Sequence, residues 1–164
     1  MEGILIVTPA TKTNLISVAA CLAICAFAGA TIAAAPLSGA AAIQARQAGF
    51  KVQGGAFKTI SDQLKTPAPD IAAIRTAANA ITRTAGQINT WFPVGSGPGP
   101  GVVTKAKAEI WTDAPRFAAA MTAFRAQVPR LKAAADSGDL AAIRTEFVAT
   151  GRTCGGCHIP FRAQ

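Results

Sequence analysis

Five residues near the C-terminus, Cys154-Gly155-Gly156-Cys157-His158, constrain this chain more than any other stretch. Two thiols three positions apart stand about one turn apart on a helix. C-x-x-C-H is the spacing at which each can form a thioether to a haem vinyl group while the adjacent imidazole reaches the iron. A chain built this way has to fold around a flat macrocycle. His158 is the single histidine, and the two remaining cysteines, Cys21 and Cys25, lie in an N-terminal apolar run. A thioredoxin-like reading needs a neighbouring βαβ pattern, which is missing, and a zinc site needs more ligands than Cys154, Cys157 and His158 supply. The motif therefore implies one covalently bound haem c, with Cys154 and Cys157 as thioether residues and His158 as axial iron ligand.

The N-terminus has to be set aside before the fold is considered. Lys12 precedes an apolar run over residues 15–28, and small residues follow to position 35, the layout of a secretory signal. Residues 1–30 are expected to be a cleavable signal peptide, with Ala28-Gly29-Ala30 as the preferred exit and a cut as late as residue 35 as the alternative. The mature chain, residues 31–164, is then exported to the bacterial periplasm. Thioether attachment of haem takes place outside the cytoplasm, so compartment and chemistry agree. An uncleaved anchor over residues 15–35 is the rival localisation, and Val18-Ala19-Ala20-Cys21 loosely fits a lipid-attachment box.

What remains is long enough for one domain with a core and too short for two. Residues 40–64 repeat apolar positions at helical spacing, with Ile43, Gln47, Phe50, Gly54, Phe57 and Ile60 along one face. Gly54-Gly55 marks either a bend or the close approach of a flat ligand. Thr66-Pro67-Ala68-Pro69-Asp70 stops that helix and offers Asp70 as cap for a second, over 71–90, with Ile71, Ile74, Ala78, Ile81, Ala85 and Ile88 as its stripe. Residues 91–104 hold too many prolines and glycines for a regular element and read as a long crossing loop. Thr112-Asp113-Ala114-Pro115 opens a third helix to about residue 135, with Phe117, Met121, Phe124, Val128 and Leu131 inward and Pro129 expected to kink it. Asp139 caps a fourth, carrying Leu140, Ile143, Phe147 and Val148 towards the cysteines. The fold class is all-α: an antiparallel four-helix bundle with a long loop between the second and third helices. Haem would attach near the C-terminal end of the last helix.

The formal charge is +8. Its lysines and arginines are scattered and no aromatic-basic recognition motif accompanies them, which argues against nucleic acid and for an acidic redox partner protein.

A C-x-x-C-H at the end of a last helix resembles the class II c-type cytochromes, the cytochrome c′ family. Arg46-Gln47-Ala48-Gly49-Phe50 is similar to the R-Q-x-x-[L/M/F] segment of that family's first helix. Ala108-Glu109-Ile110-Trp111-Thr112-Asp113 is similar to its E-I-W-x-D segment, and residues 154–162 match C-x-x-C-H-x-x-[Y/F]-R. The resemblance implies that Cys154 and Cys157 hold the haem and that His158 is the proximal ligand. It implies that Arg162 lies near His158, that Phe50 projects over the distal face, that Arg46 lies near a propionate and that Trp111 packs on or near the porphyrin. It also implies a possible homodimer through the first two helices.

Phe50 decides the functional class. In low-spin members of the family a methionine at this position closes the sixth coordination site, whereas a phenyl ring cannot bind iron. Met121 and Lys51 are the other conceivable donors, one on the third helix and one on the wrong side of the first from Phe50. The expectation is a five-coordinate, high-spin haem under an apolar distal pocket, binding nitric oxide or another small diatomic ligand at the open site. A low-spin one-electron carrier of the class II type is the alternative. Enzymatic peroxide chemistry is not expected, because no second histidine or carboxylate lies near Phe50 to move protons. Pro160, two residues after the ligand, removes a helical donor, so the last helix either ends at about His158 or continues as a turn distorted by the haem bonds.

Overall fold

A computed structural model of the protein describes residues 38–99 and 102–164. The expected signal peptide, its cleavage site and the alternative membrane anchor fall outside the described residues.

The first helix, α1 (Gly39–Gln63), starts where the Ser38 hydroxyl accepts the Ala41 N–H, and it stops ahead of the proline pair. Asp70 caps α2 (Ile71–Gln87) by accepting from Ala72 and Ala73 at 2.8 and 3.1 Å, and its own N–H donates to Gln63 Oε1 at 2.8 Å. That last bond ties the end of α1 to the start of α2. The second helix does not continue to residue 90 as an α-helix. It tightens into a 3₁₀ turn over Ile88–Trp91, which winds the chain into the loop and buries Trp91. A single helical turn, α3 (Glu109–Thr112), precedes α4 (Ala114–Ser137), which carries Pro115 in its first turn and runs unbroken through Pro129. Gly138, at φ 76°, supplies the left-handed residue that ends α4. Asp139 then caps α5 (Leu140–Phe161) through Ala141 and Ala142.

The four long helices form an antiparallel four-helix bundle. Short connections join α1 to α2 and α4 to α5, and α2 packs against α4 across the centre. Ile60, Ile74, Ile81, Leu131 and Ile143 are the large, fully buried side chains that close the core. The expected stripes on α2 and α4 are the observed ones.

The stripe on α1 needs correction. Its core face runs through Ala42, Arg46, Ala56 and Ile60, about one position round from the expected one, and Gln47 and Gly54 are exposed. The reason is that α1 presents small residues to the core and lets a larger neighbour fill the space. An added Cβ on Gly49 would fall inside the contact shell of three indole carbons of Trp91, Cζ3 at 2.9 Å being the farthest. Phe50 and Phe57 sit on the adjoining face, half-buried, with a different task. Val148, expected inward on α5, is 52% exposed, because Phe147 takes the inward place by stacking on Phe57 at 4.3 Å.

Pro160 does not end the last helix at His158. The helix reaches Phe161, and the Arg162 N–H donates to the His158 carbonyl at 3.1 Å. Contacts beyond the helix hold this end: Lys107 N–H donates to the Phe161 carbonyl at 3.0 Å, and Ala163 N–H to the Lys105 carbonyl at 2.8 Å. The strap over residues 102–107 is thereby pinned to the tail in a short antiparallel bridge between Ala106 and Arg162.

Candidate haem cavity

Between α1, α5, the start of α4 and the strap lies a cavity of about 770 Å³. Aromatic rings dominate its walls. Of the eight phenylalanines in the sequence, six line it: Phe50, Phe57, Phe92, Phe117, Phe124 and Phe161. Cys154, Cys157 and His158 enter from α5. Phe50 faces His158 across the space, the two rings nearly perpendicular with centroids 6.4 Å apart. Trp91 stands edge-on to Phe50 at 5.2 Å and fixes its back.

The charged residues are gathered at one end. Arg46 is only 4% exposed, and its guanidinium donates to the Trp91 carbonyl, to the Ser96 hydroxyl and carbonyl, and to Thr104 Oγ1, at 2.8 to 3.4 Å. It also lies 5.1 Å from the centroid of the Phe92 ring. All of these partners are neutral, and burial pulls its pKa below the usual arginine value. Lys105 and Arg162 stand in the same lining, which contains no acidic residue. A buried cation without a carboxylate, beside two more cations and an apolar slot, suits a flat hydrophobic ligand with a negatively charged edge.

The reactive side chains suit the same ligand. Burial pushes the Cys154 thiol up, and burial followed by the neighbouring Cys154 pushes Cys157 up to about 11, so both stand as protonated thiols at neutral pH. The His158 pKa is lowered, first by burial and then by the Arg162 charge, which leaves its imidazole neutral with a lone pair to give. Two thiols, a neutral imidazole, aromatic walls and a cationic rim fit a covalently attached haem.

Six of the residues expected at the site therefore line one cavity: Arg46, Phe50, Cys154, Cys157, His158 and Arg162. Arg162 does so as the extended residue after the helix, not as part of it. Trp111 stands one layer back. Its Nε1–H faces the Phe92 and Pro93 carbonyls at 3.3 and 3.2 Å and its ring lies over Gly97, so it braces the loop that carries Phe92. Met121 is buried in the core away from this cavity, and Lys51 is exposed. The lining is not wholly apolar as expected, because the Gln53 amide stands among the aromatic rings. Gln53, Phe92, Phe117, Phe161 and the strap residues Thr104 and Lys105 were not anticipated as site residues. The surplus of phenylalanine over the other aromatics was the available signal.

A family profile described as Cytochrome C' matches residues 41–162. Among characterised relatives, cytochrome c' of Rubrivivax gelatinosus is 34% identical over 122 residues, which is 74% of this chain and 93% of the relative. The solved structure of cytochrome c' from Thermochromatium tepidum resembles this fold with a TM-score of 0.75 at 26% identity, covering 79% of this chain and 100% of that one. A nitric oxide complex of a variant of cytochrome c prime from Alcaligenes xylosoxidans gives a TM-score of 0.69 at 29% identity, covering 77% and 97%.

Proposed function

Since the chain belongs to the cytochrome c′ family, we propose that it is an exported haem protein whose iron keeps one axial place open for nitric oxide or a similar diatomic ligand. The haem c is bound covalently, with Cys154 and Cys157 as its thioether residues and His158 as the iron ligand in this reading. When bound, the haem supplies an iron centre that takes a diatomic ligand and passes between ferric and ferrous states. The protein's own residues orient and shield that centre. His158 offers a neutral imidazole, Arg46 presents a fixed positive charge to the anionic edge, and the phenylalanines exclude water.

The observation that carries the proposal is the ring pair: opposite His158 stands Phe50, a side chain with no lone pair to give. Lys105 is the one further lining residue with a basic amine, and it sits on the strap bridged to the tail beside Arg162, four residues past His158. The nitric oxide complex of the Alcaligenes xylosoxidans relative supports the choice of ligand. The lining also lacks a carboxylate, which supports a binding rather than a peroxide-cleaving role.

Electron transfer is the second reading, and the surface around the cavity supports it. Lys105, Lys107, Arg116 and Arg162, at the cavity end, take part in no ion pair among the described residues. An acidic redox protein would meet the cavity end first. The N-terminal apolar run supports a periplasmic location, with the uncleaved membrane anchor as the alternative. Pairing of two copies through α1 and α2 belongs to the same reading.

Intact-mass measurement on protein made by cells that attach c-type haem tests the covalent part. The expected mass is that of the chain cut near residue 30 plus one haem. A full-length chain would support the anchor, and a chain without added haem would defeat the proposal.

A further inference from the structure

Gly54-Gly55 lies inside α1, where two adjacent glycines weaken a helix and call for a reason. The pair does not break α1, which runs from Gly39 to Gln63. Nor does it admit a protein neighbour, because a Cβ at either position would meet nothing within 4 Å, whereas one on Gly49 would strike Trp91. Gly55 is exposed and stands outside the cavity lining, while Gly54 is exposed and belongs to that lining. Helix α1 is the side of the cavity opposite His158, and both ends of that side are tied. At one end the Arg46 guanidinium donates to Thr104 Oγ1 at 2.8 Å and Gln47 Nε2 donates to the Val103 carbonyl at 2.9 Å, closing α1 onto the strap. At the other end Phe57 stacks on Phe147 at 4.3 Å with its ring edge over Gly151, closing α1 onto α5. Gly54 falls between these ties, one turn past Phe50 and three residues before Phe57 on the same helical face, and carries no side chain.

From this arrangement we infer that Gly54 is the gap in the α1 wall through which a diatomic ligand enters and leaves the open side of the iron. The inference rests on the open axial place proposed above and adds the route that leads to it. Phe50, backed edge-on by Trp91 at 5.2 Å, blocks the approach straight over the iron, so the ligand passes beside the ring. A gap forms no bond to the bound ligand. Filling it therefore slows entry and exit alike and leaves the affinity nearly unchanged.

The test uses the haem-loaded ferrous protein and carbon monoxide as the probe, with association followed after mixing and dissociation by displacement. Gly54→Leu is expected to slow both rates by about tenfold, the ratio that about 1.4 kcal/mol of added barrier produces. Gly54→Ala should slow both by about twofold, and it carries the test alone if leucine impairs haem loading. Alanine strengthens the helix, so this kinetic effect runs against the change in stability. Gly55→Leu, outside the lining, should leave both rates as they were. Rates unchanged by both Gly54 substitutions would overturn the inference while leaving the open site standing. A change in dissociation alone would also overturn it, since residue 54 would then touch the bound ligand rather than its path. Lower haem content or an altered ferrous spectrum in Gly54→Ala would do the same, because the glycine would then make room for the macrocycle itself. Failure of the unsubstituted ferrous protein to bind carbon monoxide would overturn both readings, the open site first.

Discussion

Replacing Gly49 by alanine tests how α1, Trp91 and Phe50 are fitted together. The new Cβ would enter the contact shell of three indole carbons, and Trp91, at 3% exposure, has little room to retreat. Overpacking of this kind costs about 1–3 kcal/mol, and so close an approach belongs at the upper end. Against it stands the gain of about 1 kcal/mol from alanine over glycine inside a helix. The net expectation for Gly49→Ala is a loss of about 2 kcal/mol. Gly55→Ala, six residues on in the same helix, is the internal control, because a Cβ there meets nothing within 4 Å. It should gain about 1 kcal/mol from propensity alone. The two variants thus differ by about 3 kcal/mol, which is the overpacking term with propensity cancelled. Urea titration of the haem-loaded proteins, at a slope of about 2 kcal/mol/M, should separate their midpoints by about 1.5 M. If Gly49→Ala matches or exceeds the stability of the unsubstituted protein, Trp91 is not wedged against α1 and does not set the position of Phe50.

Other substitutions probe separate parts of the account. Phe50→Met should move the iron towards a six-coordinate, low-spin state, read from the ferrous absorption spectrum, and an unchanged spectrum would mean that residue 50 does not face the metal. Arg46→Ala should lower stability by about 2–4 kcal/mol in urea titration, because it orphans four acceptors at once. Arg46→Lys should recover less than half of that, since an ammonium group cannot span the same fork. Pro129→Ala should raise stability by about 1–2 kcal/mol through restoration of a helical donor in α4, less the lost restriction of the unfolded chain. A loss there would mean that the proline is matched by packing elsewhere.

Local chemistry explains which features could be read without coordinates. Asp70 and Asp139 cap their helices from the positions expected, and the Thr66-Pro67-Ala68-Pro69 and Ser137-Gly138 stops fall where they should, because caps and breakers act within a few residues. The C-x-x-C-H group was legible for the same reason: its spacing alone carries the chemistry. Arg46 was harder. As an isolated residue it reads equally well as a surface cation, and only the placing of Trp91, Ser96 and Thr104 against α1 supplies the acceptors that bury it. Periodicity misplaced the core face of α1 because it gives weight to large apolar side chains, whereas here Ala42, Gly49 and Ala56 make room for an indole from another element. Gln53 was invisible, since nothing in sequence separates a glutamine on a solvated face from one that lines a cavity. The persistence of α5 past Pro160 depends on the strap and tail meeting, a contact between segments more than 50 residues apart in sequence.

The most direct test of the account is the absorption spectrum of the purified ferrous protein, recorded before and after addition of nitric oxide. A covalent haem with His158 on one side and Phe50 on the other predicts broad high-spin bands that change when the gas is added. A sharp low-spin α-band that nitric oxide leaves unaltered would mean that the protein ligates its iron from both sides, and would contradict the open axial place.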